Sequence, residues 1–167
     1  MKYNNQKGVG LVEVLVALFL LAVAVLGFAA LQLRAVDASL EASKQVLALT
    51  IARDLAERMR ANPQAVRDGA YVVGAVSVPT SEVVATVGDA ASIAKQDLNI
   101  AALNAKNNGM NLSISECPTG AARQCIYVAW EETSLSGNRG IETCIKDGVY
   151  VKGSHCLFLE AYCPVLK

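Results

Sequence analysis

The chain has 167 residues, enough for one ordinary domain with little room for a second once its apolar N-terminal stretch is set aside. Acidic and basic side chains balance at 15 each, so the basic footprint of a dedicated nucleic-acid binder is missing. Hydrophobic residues make up 53% of the chain, and much of the excess lies between residues 8 and 33, which marks a segment rather than a greasy core.

That segment runs KGVGLVEVLVALFLLAVAVLGFAALQLR, from Lys7 to Arg34. It holds one acid, Glu13, followed by an uncharged run from Val14 to Leu33. A helix of roughly 20 residues rises about 30 Å, the thickness of a bilayer's hydrocarbon core. Lys2 and Lys7 precede the run and no acid does. The positive-inside bias therefore keeps the first residues in the cytoplasm and sends the remainder outward, against a weaker pull from Arg34.

Past Arg34 charge returns, yet the helical signal continues. AVDASLEASKQVLALTIARDLAERMRAN contains no Gly or Pro and is rich in good helix formers. Val36, Leu40, Leu47, Ile51, Leu55 and Met59 recur at four- and seven-residue steps as one apolar stripe, with Val46 and Leu49 lying off it. Asp54 and Arg58 form a favourable i,i+4 pair on the exposed side, and Pro63 after Asn62 supplies a stop. The two segments read as one helix from about Val9 to Asn62.

Residues 63–88 read as a long loop with one or two short strands, punctuated by Gly74, Pro79 and Gly88. Asp89 is a candidate N-cap for a short helix carrying Ile93, Leu98 and Leu103 and ending near Gly109. From Asn111 the pattern turns to strands: NLSIS, QCIYVAWEE, GVYVKG and HCLFLEAYC. Three or four antiparallel strands could cover the second half of the long helix, which makes the fold class α+β. In IYVAW, Tyr127 and Trp130 point to opposite faces. Trp130 is expected to fill the core under the helix, and Tyr127 to cover an edge or a solvent face.

Cys117, Cys125, Cys144, Cys156 and Cys163 fall in the last third, on the outward side of the membrane, where disulfides are favoured. Five cysteines close at most two bridges, and spacing does not say which pair. No C-x-x-C occurs and His155 is the single histidine, so no metal site is expected. No Ser/His/Asp set and no glycine-rich phosphate loop is available either, so no cofactor or catalytic residue is assigned. Glu131-Glu132 reads as a solvated strand end, and His155 and Cys156 point to opposite faces of a strand. Asn111-Leu112-Ser113 matches the glycosylation triplet, a three-residue match that arises readily by chance.

An acid at the edge of an apolar helix is unfavourable in lipid unless hydrated, protonated or paired. An ordinary secretory signal with Ala22-Val23-Ala24 as its cleavage site would put Glu13 inside its apolar run, and the uninterrupted helix argues against release. The stretch KGVGLVEVLVALFLL instead resembles the class III signal of type IV pilin-like proteins, a short basic leader ending in glycine with glutamate fifth after the cut. The resemblance implies a leader of residues 1–8, cleavage between Gly8 and Val9 by a prepilin peptidase, and methylation of the new amino terminus on Val9. It also implies that Glu13 pairs with a neighbouring subunit's amine in a fibre and sets the register. Domains follow: a transmembrane, assembly half of the helix at 9–34, an amphipathic half at 35–62, and a periplasmic head with strands and disulfides at 63–167.

GFAALQLRA, the helix through ALTIARDLAERMRANP, and the later IAKQDLNIAALNA and CIYVAWEE are similar to the PilV type of minor pilin, the type IV pilus modification protein. Val9 stands where Phe or Met is more usual, and no proline interrupts the membrane half, which argues against a major pilin. The resemblance implies residence in a bacterial inner membrane and then in a surface pilus serving motility or adhesion. Partners would be the major pilin, other minor pilins, the peptidase and the inner-membrane assembly machinery, with no nucleic acid indicated. A minor pseudopilin of a type II secretion system shares EVLVAL and is the alternative.

Overall fold

The computed structural model describes residues 8, 10–79, 88–118, 123–137 and 140–161. The chain divides into two compact units, Met1–Ala42 and Ser43–Lys167. Helix α1, Leu11–Ala61, supplies the described helix of the first unit and continues into the second. Gly27 is its one interior glycine and it has no proline, so the i→i−4 ladder meets no breaker over 51 residues.

The helix ends for a local reason. Pro63 disfavours helical dihedrals in the residue before it, and Asn62 sits at φ −123°, ψ 64°. The Asn62 side chain then accepts a hydrogen bond from the Ala65 amide at 3.4 Å, capping α2, Pro63–Arg67, with proline at its first turn. The sequence pattern predicts a loop here. A five-residue helix is too short to show a 3.6-residue period, so the cap and the proline were its only signals.

In the second unit α1 buries Ala48, Ile51, Ala52, Leu55, Ala56 and Met59. The lower part of the anticipated stripe, Ile51, Leu55 and Met59, is therefore core. Leu47 is half-buried, while Val36 and Leu40 in the first unit stay more than half exposed. The three alanines add little to the apolar stripe because their side chains are small, yet all three are buried.

After the short strand β1, Gly74–Ala75, the next described helix is α3, Ala90–Asn107. Asp89 caps it as expected, accepting from the Ser92 amide at 3.0 Å and the Ser92 hydroxyl at 2.6 Å. These bonds hold the exposed Asp89 carboxyl below its ordinary value. The buried face of α3 is again rich in alanine: Ala94, Leu98, Ala101, Ala102 and Ala105, with Asp97 among them. Of the three apolar residues anticipated there, Leu98 is core, Leu103 is half-buried and Ile93 is exposed.

Strands β2, Met110–Glu116, and β3, Gln124–Trp130, form an antiparallel pair, and the four-stranded sheet has the order β1-β2-β3-β6, with β6 at Cys156–Ala161. The stretch GVYVKG does not join it. Its Val149–Tyr150, β5, pairs with β4, Ile145–Lys146, as a separate hairpin. Asp147 and Gly148 at its tip both have positive φ, 53° and 78°, which suits a tight two-residue turn.

All seven residues of β3 are buried, so both of its faces are covered. Ile126, Val128 and Trp130 join α1, α3 and β2 in the main core, where Trp130 was expected. Cys125, Tyr127 and Ala129 face a second, smaller core with Leu135, Cys144 and Ile145. Tyr127 is fully buried rather than on an edge or solvent face. Alternation assigns the two faces, but the segment that returns over the outer face leaves no trace in it.

A polar chain crosses the main core. Tyr71, itself fully buried, donates to Asp97 Oδ2 at 2.7 Å, and the Arg58 guanidinium lies 3.4 Å from Asp97 Oδ1. Asn62 Nδ2 donates to the Ala90 carbonyl at 2.8 Å and to the Tyr71 hydroxyl at 3.4 Å. Burial, reinforced by the Asp97 hydrogen bond, pushes the Tyr71 phenol up, so it remains a protonated donor. The network ties α1, α2, the segment leading to β1, and α3 together. Tyr71→Phe keeps the ring and deletes the donor to a charged acceptor. It should cost about 1.5–3 kcal/mol, read as a lower denaturant midpoint without a change in slope.

Candidate functional site

The sequence singles out the N-terminal end of α1, and its local geometry follows from Gly10. The Gly10 carbonyl accepts from the Glu13 amide at 3.0 Å and the Val14 amide at 3.3 Å, opening the helix. Glu13 thus lies in the first turn, where the partial positive charge of unpaired amides favours a carboxylate. Gly8 is exposed, and a Cβ placed there would meet nothing within 4 Å. Any need for glycine at Gly8 therefore comes from a molecule that acts on the chain, not from packing within it. Val9 and residues 1–7 lie outside the described residues.

Beyond Glu13 the helix presents apolar surface all round. Leu15, Phe19, Leu20, Leu26, Phe28 and Leu31 are each more than half exposed. An 18-residue window has a mean hydropathy of 3.0, and none of it is buried. By length and composition this is a helix able to cross a membrane, and it calls for lipid or other apolar helices as its surroundings.

The cysteines resolve into two bridges, Cys117–Cys125 and Cys144–Cys156. The first closes the β2–β3 connection and the second ties the β4–β5 hairpin to the start of β6. Their Cα separations of 5.0 and 5.8 Å fall in the ordinary disulfide range. Cys163, the remaining cysteine, is outside the described residues. Glu160 approaches the Cys117–Cys125 sulfurs, but both are committed to a bridge.

Two other groups hold the head, and no sequence pattern signals either role. Asn111, the first residue of the glycosylation triplet, donates to the Ala129 and Thr133 carbonyls at 3.3 and 3.0 Å and accepts from the Leu135 amide at 2.8 Å. Its side chain pins the returning segment to the sheet. Glu131, at φ 56°, forms an ion pair with Lys44 of α1 and lies 3.4 Å from His155 Nε2. The Glu131-Glu132 pair is indeed a strand end, but its first member clasps the helix.

The comparisons agree with this geometry. Residues 3–29 match the family described as the prokaryotic N-terminal methylation motif, and residues 30–96 match the one described as type IV pilin Tt1218. Over residues 3–96 the chain is type IV pilin-like. The first match ends within α1, and the second runs on through the rest of α1 and α2 into α3. Neither reaches β2 to β6 or the disulfides of this pilin-like chain. No curated protein and no solved structure matches the chain.

The Lys44 hydrogen bond holds the Glu131 carboxyl below its ordinary value of 4.5. A depressed folded value means stability that is complete above the unfolded pKa and is lost as the pH falls through the folded one. Glu131→Gln in the full-length protein should therefore give a shallower loss of melting temperature below pH 4.5 than the parent shows. Above that pH the variant should melt slightly lower than the parent.

Proposed function

We propose that this pilin-like chain is a minor type IV pilin of the pilus modification type. Its leader, residues 1–8, is removed by a prepilin peptidase between Gly8 and Val9, and the new amino terminus on Val9 is methylated. The mature subunit waits in the bacterial inner membrane with its head in the periplasm, then enters a type IV pilus or the complex that starts one. Its partners are the major pilin, other minor pilins, the peptidase and the inner-membrane assembly machinery. It is a substrate of an enzyme and a structural subunit.

The observation that carries the reading is one helix with a methylation motif at its start, an exposed apolar surface along its first half and a buried stripe along its second. The physical mechanism follows from Glu13. Cleavage at Gly8–Val9 leaves an amine about one helical turn from the acid. Burying that acid alone among apolar helices is unfavourable, whereas burying it against a neighbour's amine removes most of the penalty. The pairing then selects one axial stagger between adjacent helices.

Mass spectrometry of fibres sheared from intact cells tests the assignment. A methylated peptide beginning at Val9 is the expected result. The same peptide confined to the envelope, with pili present but lacking it, would point to a secretion pseudopilin, and a mature start near Val25 would overturn the pilin reading. Gly8→Ala should strongly impair leader removal without disturbing the fold, checked by the mobility of the mature form. Glu13→Ala should leave insertion and cleavage nearly unchanged and lower the subunit's abundance in fibres; unchanged abundance would refute the register role.

A further inference from the structure

A peptidase has to take hold of backbone. A peptide bond inside an α-helix has its amide and carbonyl committed to the i→i−4 ladder, so the chain must unwind before an enzyme can grip it. Cutting therefore concentrates in exposed, irregular chain. The cut between Gly8 and Val9 lies just ahead of a 51-residue helix, and a helix that already has its nucleus extends readily. What stops α1 at Leu11, short of the cut, therefore bears on processing.

A helix start is ordinarily fixed by Ser, Thr, Asp or Asn at the N-cap, whose side-chain oxygen accepts from one of the first free amides. The residues before Leu11 are Lys7, Gly8, Val9 and Gly10, and none carries a side-chain oxygen. Gly10 holds the capping position. Its carbonyl accepts from the Glu13 amide at 3.0 Å and the Val14 amide at 3.3 Å, while Gly10 and Gly8 are themselves exposed and outside the helix. Packing does not call for glycine at Gly10 either, because a Cβ there would meet nothing within 4 Å. What glycine brings is the weakest helix propensity of any residue but proline.

We propose that Gly10 is a positioning residue for leader removal. By ending α1 at Leu11 it leaves the chain ahead of the helix free for the peptidase to take up in extended form. Water then adds across the Gly8–Val9 peptide bond, leaving a carboxylate on Gly8 and an amine on Val9. The inference rests on the cut proposed above, and Gly10 acts on it through backbone conformation rather than by touching the reacting bond. Alanine at this position would favour the opposite state, since it is the best helix former and a poor cap. Serine or asparagine would restore a stop despite a larger side chain.

Pulse-chase of the full chain in cells that hold its own peptidase tests this. Leader removal is read as the shift from precursor to mature mobility, and mass spectrometry fixes the mature start. Gly10→Ala should slow removal by up to about fivefold, the factor to which loss of a typical cap corresponds. Gly10→Ser and Gly10→Asn should be cut at close to the parental rate. All three change an exposed position with open space around it, so the melting temperature of the head should stay where it is. A peptidase pocket that merely excludes bulk would give another order, with Gly10→Ala cut fastest of the three and Gly10→Asn slowest. That order, or equal rates for all three variants, would overturn the proposal. A parent whose mature form begins elsewhere than Val9 would remove the cleavage reading itself, so the two failures are told apart.

Discussion

A single unbroken helix has to satisfy two different environments, and most of the structure is a response to that constraint. Because an α-helix satisfies its backbone hydrogen bonds internally, it can pass from lipid to water without a change of conformation. Side chains alone mark the transition in α1. From Leu11 to Leu40 its large apolar residues are exposed, and from Ala48 to Met59 one face is buried in the head. Arg34, Asp37 and Lys44 restore charge in between. The same helix that needs apolar neighbours in its first part therefore contributes one face to the core of a folded domain in its second.

The head is built around β3 as much as around α1. A strand covered on both faces must join two cores, and β3 sends Ile126, Val128 and Trp130 one way and Cys125, Tyr127 and Ala129 the other. Among the described residues the outer core has six buried members, and a core of that size would be marginal unaided. Two bridges compensate. Loops with sequence separations of 8 and 12 are worth about 2.5–3 kcal/mol each in the chain-entropy account. Asn111 adds three hydrogen bonds that fix the path of the returning segment. The main core instead hides a polar network, Arg58–Asp97–Tyr71–Asn62, that sets how the end of α1 meets α2 and α3. Such a network is unfavourable if half satisfied, and so it penalises other packings.

These two cores place different chemistry on different parts of the molecule. The roles proposed for Gly8 and Glu13 fall on exposed residues, and packing within the chain makes no demand for glycine at Gly8. The outer face beside β1 belongs to the opposite situation, because Ser113, Ser115, Leu135, Ile141 and Glu142 meet there only once the outer core has closed.

Much was legible in the sequence where the signal is local. The uncharged run, the lone Glu13, the absence of breakers to Asn62, the Asp89 cap and the alternation in IYVAW are each set by neighbouring residues, and the structure keeps all of these elements. The α+β class and the pilin-like character follow from them. Tertiary structure alone decided what depends on residues distant in the chain. The alanine faces of α1 and α3, the cysteine pairing, the placement of Val149–Tyr150 in a separate hairpin and the burial of Tyr127 are of this kind. So are the roles of Asp97 and Asn111. Periodicity reports which face a side chain takes, and composition reports the solvent it prefers. Neither reports what covers that face, because the partner arrives through long-range strand register and loop closure that no short window of sequence contains.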